Sequence, residues 1–281
     1  MKATDYIILF KTLLIGSVGG VIALYLSFPA PFLMGPAIAV TFSCLMGIKL
    51  QISSKLRDVS FIFIGMSMGS SATPEVIETA KQWPSSFIIL AISLYLIMLL
   101  GAWSMRRFFH FSAKSSILAS TPGHLSFVIA LSDDLKSDTK VIALIQSVRI
   151  LFLTLLIPSI LIWMDLSLPE NNFIPQIMHI KWIIILGILA AILGYGLKKY
   201  KLPAAYLIAG MLASTLPHIT GVVEGVLPTW IIIPCFIIMG SLIGTRFSDV
   251  KLSELKKNHY PKYLLFSIII PYSGYSFFLC L

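Results

Sequence analysis

Long apolar runs alternate with short polar gaps along the whole chain. The runs cover about 6–27, 31–48, 58–72, 85–104, 115–131, 140–163, 180–197, 203–220, 228–245 and 261–281. A helix needs about 20 apolar residues to cross a hydrocarbon core of about 30 Å. Backbone groups in lipid must be paired within their own segment, so each run is predicted to be helical. The pattern predicts an all-α integral membrane protein with about nine to ten transmembrane segments. The gaps hold Pro, Lys, Arg or Asp, and the longest, 164–179, is too short for a soluble domain.

Composition removes the soluble alternative. Of the 281 residues, 57% are apolar and 12% charged, against about 25% charged in an ordinary soluble domain. That much apolar surface cannot be hidden in one globule of 31.0 kDa, so the lipid bilayer is the first partner. Cys44, Cys235 and Cys280 lie far apart in apolar runs and read as small buried hydrophobes. The first run is long and lacks a small-x-small cleavage site, so a cleavable signal peptide is not expected.

The net charge of +9 would suggest nucleic acid in a soluble protein. Here its placement excludes that partner. Basic residues gather at Lys49/Lys55/Arg57, Arg106/Arg107/Lys114, Lys136/Lys140, Lys198/Lys199/Lys201 and Arg246/Lys251/Lys256/Lys257/Lys262. Basic loops stay cytoplasmic, which predicts an inner-membrane, multi-pass protein with a cytoplasmic N-terminus. Simple alternation puts 198–201 and 246–262 on the wrong side. If 115–131 enters and returns on one side, every basic cluster becomes cytoplasmic. Ser120-Thr121-Pro122-Gly123 interrupts that run in the middle, as a broken or re-entrant segment requires. The other reading is that a different short run, such as 58–72, does not cross.

The pattern also repeats. Residues 29–47 match 203–221 at Pro29/Pro203, Ala30/Ala204, Leu33/Leu207, Ala39/Ala213, Thr41/Thr215 and Gly47/Gly221, an offset of 174. Slipped by one residue, Gly65-Met66-Ser67-Met68-Gly69 matches Gly240-Ser241-Leu242-Ile243-Gly244. The loop after the first copy is basic, whereas that after the second has no Lys or Arg. Related segments therefore point opposite ways, the inverted repeat of many secondary transporters. The expected organisation is an N-terminal helix (1–27), a first membrane repeat (28–163), a linker with a connecting helix (164–202) and a second, incomplete repeat (203–281).

The stretch Ser120 to Pro158 reads STPGHLSFVIALSDDLKSDTKVIALIQSVRILFLTLLIP. It resembles the membrane AbrB family, which has a TPGGLSEM-type motif, an acidic stretch and a VALxQxxR helix. The family's LPAxxLLGP-type motif resembles Phe28 to Pro36 and Leu202 to Gly210. The resemblance covers nearly the whole chain and implies a membrane protein labelled as regulator or ammonia monooxygenase. It is not the short soluble DNA-binding regulator of the same name. His124 replaces the family's second Gly, and Phe127-Val128 replaces its Glu-Met. The family's second APGG-type motif would fall near position 296, beyond Leu281, so a truncated and inactive copy is one expectation.

Candidate chemistry centres on Thr121, Pro122, Gly123, His124, Ser126, Gln146 and Arg149. Arg149 lies nine residues past Lys140, about 13 Å along a helix and near the midplane, where a cation costs at least about 2.5 kcal/mol. Gln146 shares its helix face. Arg149 could contact a small anionic solute, or it could pair structurally with Asp133, Asp134 or the free carbonyls of 115–120. Thr121 is a good N-cap and Pro122 suits a first helical position. Residues 122–131 would then open a half-helix whose N-terminus favours an anion, with His124 and Ser126 adding hydrogen bonds. The alternative is a Pro kink in an ordinary packed helix.

The acidic residues all fall at loops or edges, which disfavours a carboxylate-driven pump. Asp133, Asp134 and Asp138 are expected to flank the broken segment. The five histidines show no metal-ligand spacing, so no cofactor, metal or enzymatic activity is expected. Gly65/Gly69 and Gly240/Gly244 are GxxxG pairs for close packing, within the chain or between copies in a homo-oligomer. Pro29, Gly35, Pro36, Pro203 and Gly210 are structural candidates. Three functions stay open: a transporter-like solute binder, a membrane regulator acting indirectly on gene expression, and an inactive copy.

Overall fold

The computed structural model describes residues 3–28, 30–72, 84–109, 111–121, 128, 132, 135, 137, 139–163 and 176–248. Pro29, the run 261–281, Pro122, Gly123, His124, Ser126, Asp133, Asp134 and Asp138 lie outside them. Nine helices cover most of the described residues: α1 Ala3–Tyr25, α2 Pro31–Leu45, α3 Ser54–Gly69, α4 Pro84–Phe109, α5 Ala113–Ser120, α6 Thr139–Trp163, α7 Ile180–Lys199, α8 Ala205–Ile219 and α9 Thr229–Thr245. Among the described residues the one non-helical pairing is a β-bridge between Ile177 and Val226. The protein is an all-α, multi-pass membrane protein. Four spans have the length and hydropathy to cross a bilayer: Asp5–Tyr25, Ile88–Phe108, Val141–Ile160 and Ile180–Lys199. The helices α2, α8 and α9 are apolar but shorter.

The repeat is written in the backbone. Ser27 and Lys201 have φ of 54° and 56°, and Ala30 and Ala204 both have 51°. Left-handed Ser, Lys and Ala are uncommon, so finding them at one offset of 174 is specific. Ala30 O accepts from Leu33 N and Met34 N, as Ala204 O does from Leu207 N and Ile208 N. At the far ends, Gly47 N donates to Cys44 O as Gly221 N does to His218 O.

Packing extends the correspondence by one helix. A Cβ on Gly20 of α1 would meet the Phe32 ring, and one on Gly194 of α7 would meet the Tyr206 ring. These pairs again differ by 174, so α1–α2–α3 corresponds to α7–α8–α9. The sequence comparison starts the repeat at Pro29 and treats the helix at 180–199 as a connector. Its counterpart in the contacts is α1.

The two units exchange partners. Gly65 and Gly69 of α3 seat against Leu207, Gly210, Met211 and Ser214 of α8. Gly240 and Gly244 of α9 seat against Leu33, Pro36, Ala37, Val40 and Thr41 of α2. Gly35 lies on Gly19 and Ala23 of α1. Both GxxxG pairs are thus spent within the chain, between repeats.

Ends of helices show the inversion. Lys198, at the C-terminus of α7, pairs at 3.0 Å with Asp58 in the first turns of α3. Gln51 N, in the loop before α3, donates to Thr12 Oγ1 of α1 at 3.1 Å. The start of α1 and the end of α7 therefore share one end of the bundle, with Lys49, Lys55 and Arg57. Counterpart helices run antiparallel, as the charge pattern predicts.

Candidate functional site

The helix α5 is built to stop. Ser112 Oγ accepts from Ser115 N at 3.1 Å and caps its start. Leu118 and Ala119 pack with Met105, Val128, Val141, Ile142 and Ile145. Eight residues span about 12 Å, far short of a bilayer. The helix ends at Ser120, and Thr121 is extended at φ −60°, ψ 123°. A continuous helix kinked at Pro122 does not fit this end. The half-helix expected after Thr121 falls largely outside the described residues; Val128 within it and Ser132 just past it are described and helical.

A helix leaves its last four carbonyls without helical partners, and α6 supplies them. Gln146 Nε2 donates to Leu118 O at 2.9 Å, Thr121 O at 3.1 Å and Ala119 O at 3.3 Å. Arg149 Nη1 donates to Ser120 O at 3.3 Å, and Nη2 to Thr121 O at 3.3 Å. Arg149 Nη2 also donates to Gln146 Oε1. Thr121 N and Oγ1 both donate to Ile117 O, at 2.8 Å and 2.7 Å. Thr121 thus turns its hydroxyl back into α5.

Arg149 makes the carbonyl pairing, to Ser120 O and Thr121 O, while Asp133 and Asp134 lie outside the described residues. A cation at a helix C-terminus also meets the negative end of the dipole. Gln146 is fully buried, so its amide must be satisfied: its two N–H groups are shared among three carbonyls and its Oε1 accepts from Arg149. Thr121, Gln146 and Arg149 therefore form one unit: a fixed charge locked onto a broken helix.

Beside Arg149 on α6, Val148 packs with Val40 and Cys44 of α2, with Leu50 after α2 and with Phe247 after α9.

Sequence reasoning missed Asp58. Arg57 Nε and Nη2 donate to its Oδ1 at 3.0 Å and 2.8 Å, while Lys198 takes Oδ2. One carboxylate so ties α3 to α7. Its signal was an acid directly beside a base within a basic loop, but the partner 140 residues away has no local trace.

The AbrB family model, described as "Transition state regulatory protein AbrB", matches residues 32–279. The chain is 24% identical over 235 residues to "Putative regulator AbrB" of Escherichia coli (strain K12), covering 81% of this chain and 66% of that protein. It is 25% identical over 174 residues to "Uncharacterized protein YhjN" of Bacillus subtilis (strain 168), covering 57% of this chain and 44% of that one. The chain thus spans about two thirds or less of the relatives it matches. No solved structure matches.

Proposed function

The chain belongs to the AbrB family, and from that premise we propose that it is an inner-membrane carrier of a small anionic solute, with its N-terminus in the cytoplasm. The observation that carries this reading is the partner exchange between inverted units, α3 on α8 and α9 on α2. Inverted repeats with short, Pro-interrupted helices at matching places are the design of secondary transporters. Both α2 and α8 are 15 residues long and carry internal proline, Pro36 and Pro217. The break at Thr121 supplies irregular backbone, which lipid tolerates only inside protein or beside a cavity. In this reading Gln146 and Arg149 position the break, the solute binds at its far side, and no bond is made or broken.

Flux in proteoliposomes tests it, with a panel of small carboxylates and inorganic anions. Wild type should move at least one of them, and Arg149→Ala should abolish that movement while still inserting. Absence of flux for the whole panel refutes the reading. The printed name of the Escherichia coli relative, a regulator, favours a second reading: a membrane sensor acting indirectly on gene expression. A sensor would change transcript levels on deletion while moving no solute.

A further inference from the structure

The basic end holds a cleft of about 500 Å³ between α1, the loop before α3, and the end of α9. Three cations line it: Lys49, Arg57 and Arg246. They come from three different elements, so the convergence is a product of the fold. No carboxylate is among its described lining residues. Ion pairs among the described residues are Arg57–Asp58 and Lys198–Asp58. Asp58 is therefore shared by two cations, and neither Lys49 nor Arg246 has an ion-pair partner among the described residues.

Two features sharpen this. Burial, and next the nearby Arg57, pull the Arg246 guanidinium below its ordinary range. Two like charges held in one partly buried cleft repel unless an anion sits between them. Second, Ser54 opens α3 beside the cleft. The first-turn N–H groups and the positive end of that 16-residue helix favour negative charge.

The geometry points to a binding site for a phosphate-type anion between Lys49, Arg57 and Arg246, the phosphate belonging either to an anionic lipid headgroup or to a free phosphate compound. The Arg246 guanidinium fork, the Lys49 ammonium and the N–H groups of Arg57 left over from Asp58 suit a multivalent oxyanion better than a lone carboxylate, which one Arg would satisfy. Ile8 and Leu242 give the cleft an apolar edge. The site is remote in role from the Thr121–Arg149 unit and does not depend on the carrier reading.

The test is thermal unfolding of the full chain in neutral detergent. One arm adds inorganic phosphate against chloride at equal ionic strength. The other adds mixed micelles of phosphatidylglycerol against phosphatidylcholine. Variants are Lys49→Gln, Arg246→Gln and the control Lys199→Gln, an exposed cation at the same end but outside the cleft. Lys49→Gln alters an exposed loop residue, so it reads the site even if Arg246→Gln fails to fold.

At least one arm should raise the midpoint for wild type, and each cleft substitution should weaken apparent affinity about tenfold, the loss of one charge-assisted contact. Lys199→Gln should bind as wild type. Stabilisation by phosphate identifies a free compound. Stabilisation by phosphatidylglycerol alone identifies a lipid. The proposal is overturned if neither arm stabilises wild type. It also fails if Lys49→Gln binds normally, or if Lys199→Gln loses as much.

Discussion

Gly65→Ala and Gly240→Ala are the sharpest test of the exchanged packing. At both sites the new methyl would stand well under 3.0 Å from a backbone carbonyl oxygen, that of Leu207 for Gly65 and of Leu33 for Gly240. Next nearest are Met211 N at 3.0 Å for Gly65, and Pro36 Cβ at 3.0 Å and Ala37 N at 3.2 Å for Gly240. These obstacles are backbone or a proline ring closed onto it, so no side chain can swing aside. The helices must part by about 1 Å, which forfeits a quarter to a half of each dispersion contact along the seam. Overpacking of this kind costs about 1–3 kcal/mol. Ala gains about 1 kcal/mol over Gly in helix preference, so the net loss is about 0–2 kcal/mol.

Gly187→Ala and Gly196→Ala in α7 provide the comparison, since a Cβ there meets nothing within 4 Å. They should be neutral or stabilising by up to about 1 kcal/mol. Thermal unfolding of detergent-purified protein reads the difference as a few degrees, at about 2–4 °C per kcal/mol. Gly65→Ala and Gly240→Ala should also fall together, because they occupy equivalent places. If either core substitution is no worse than Gly187→Ala, the exchanged packing is wrong.

Gln146→Leu strips Leu118 O and Ala119 O of their side-chain donor at a buried site, while Thr121 O keeps Arg149, a loss of about 1–3 kcal/mol; faster amide exchange over 113–121 would show it, and unchanged protection would refute the capping role. Asp58→Asn should lower stability more than Lys198→Met, because Asp58 is 15% exposed and holds two cations while Lys198 is 56% exposed and an exposed pair is worth at most about 1 kcal/mol; equal losses would remove Asp58 from its central place. In a background without Cys44, Cys235 and Cys280, single cysteines at Ser54 and Lys199 should react with an impermeant maleimide from one side of the membrane, and those at Ser71 and Val222 from the other. Labelling of Ser54 and Lys199 from opposite sides would refute the inversion.

Much of this is legible in the sequence, for physical reasons. Lipid forces helices, so apolar runs locate every helix but α5 to within about five residues, and α5 stops at the break inside its run. The motif Pro-Ala-x-x-Leu survives in both copies because a left-handed Ala before a helix is a demanding geometry. The correspondence of α1 with α7 left almost no identities. Those helices are largely exposed on their flanks, at Phe10, Leu14, Ile184 and Ile188 for example, and any apolar residue serves there. Only Gly20 and Gly194 remain, where an aromatic ring presses on the backbone. The GxxxG pairs announced close packing but not the partner, because a small surface suits any helix. Arg149 announced a need for acceptors, yet a carbonyl acceptor carries no side-chain signature.

The packing also says which parts can move against each other. Neither three-helix unit keeps its glycine face to itself, since α3 seats on α8 and α9 on α2. Parting the units would break both seams at once, so α1–α3 and α7–α9 act as one body. The helices α4 to α6 differ. They share a separate cluster around Met105, Leu118 and Ile142, and α6 meets the other body through Val148, Leu151 and Phe152. Val148 and Leu151 are three residues apart and share a face; Gln146 and Arg149 do likewise, about 200° around the helix. The core-facing stripe is apolar, and the polar stripe is turned to the end of α5. A seam of side chains without backbone interlock can slide at lower cost than a glycine seam. Arg149 thus belongs with the broken helix that it holds, while Val148 beside it faces the inverted core.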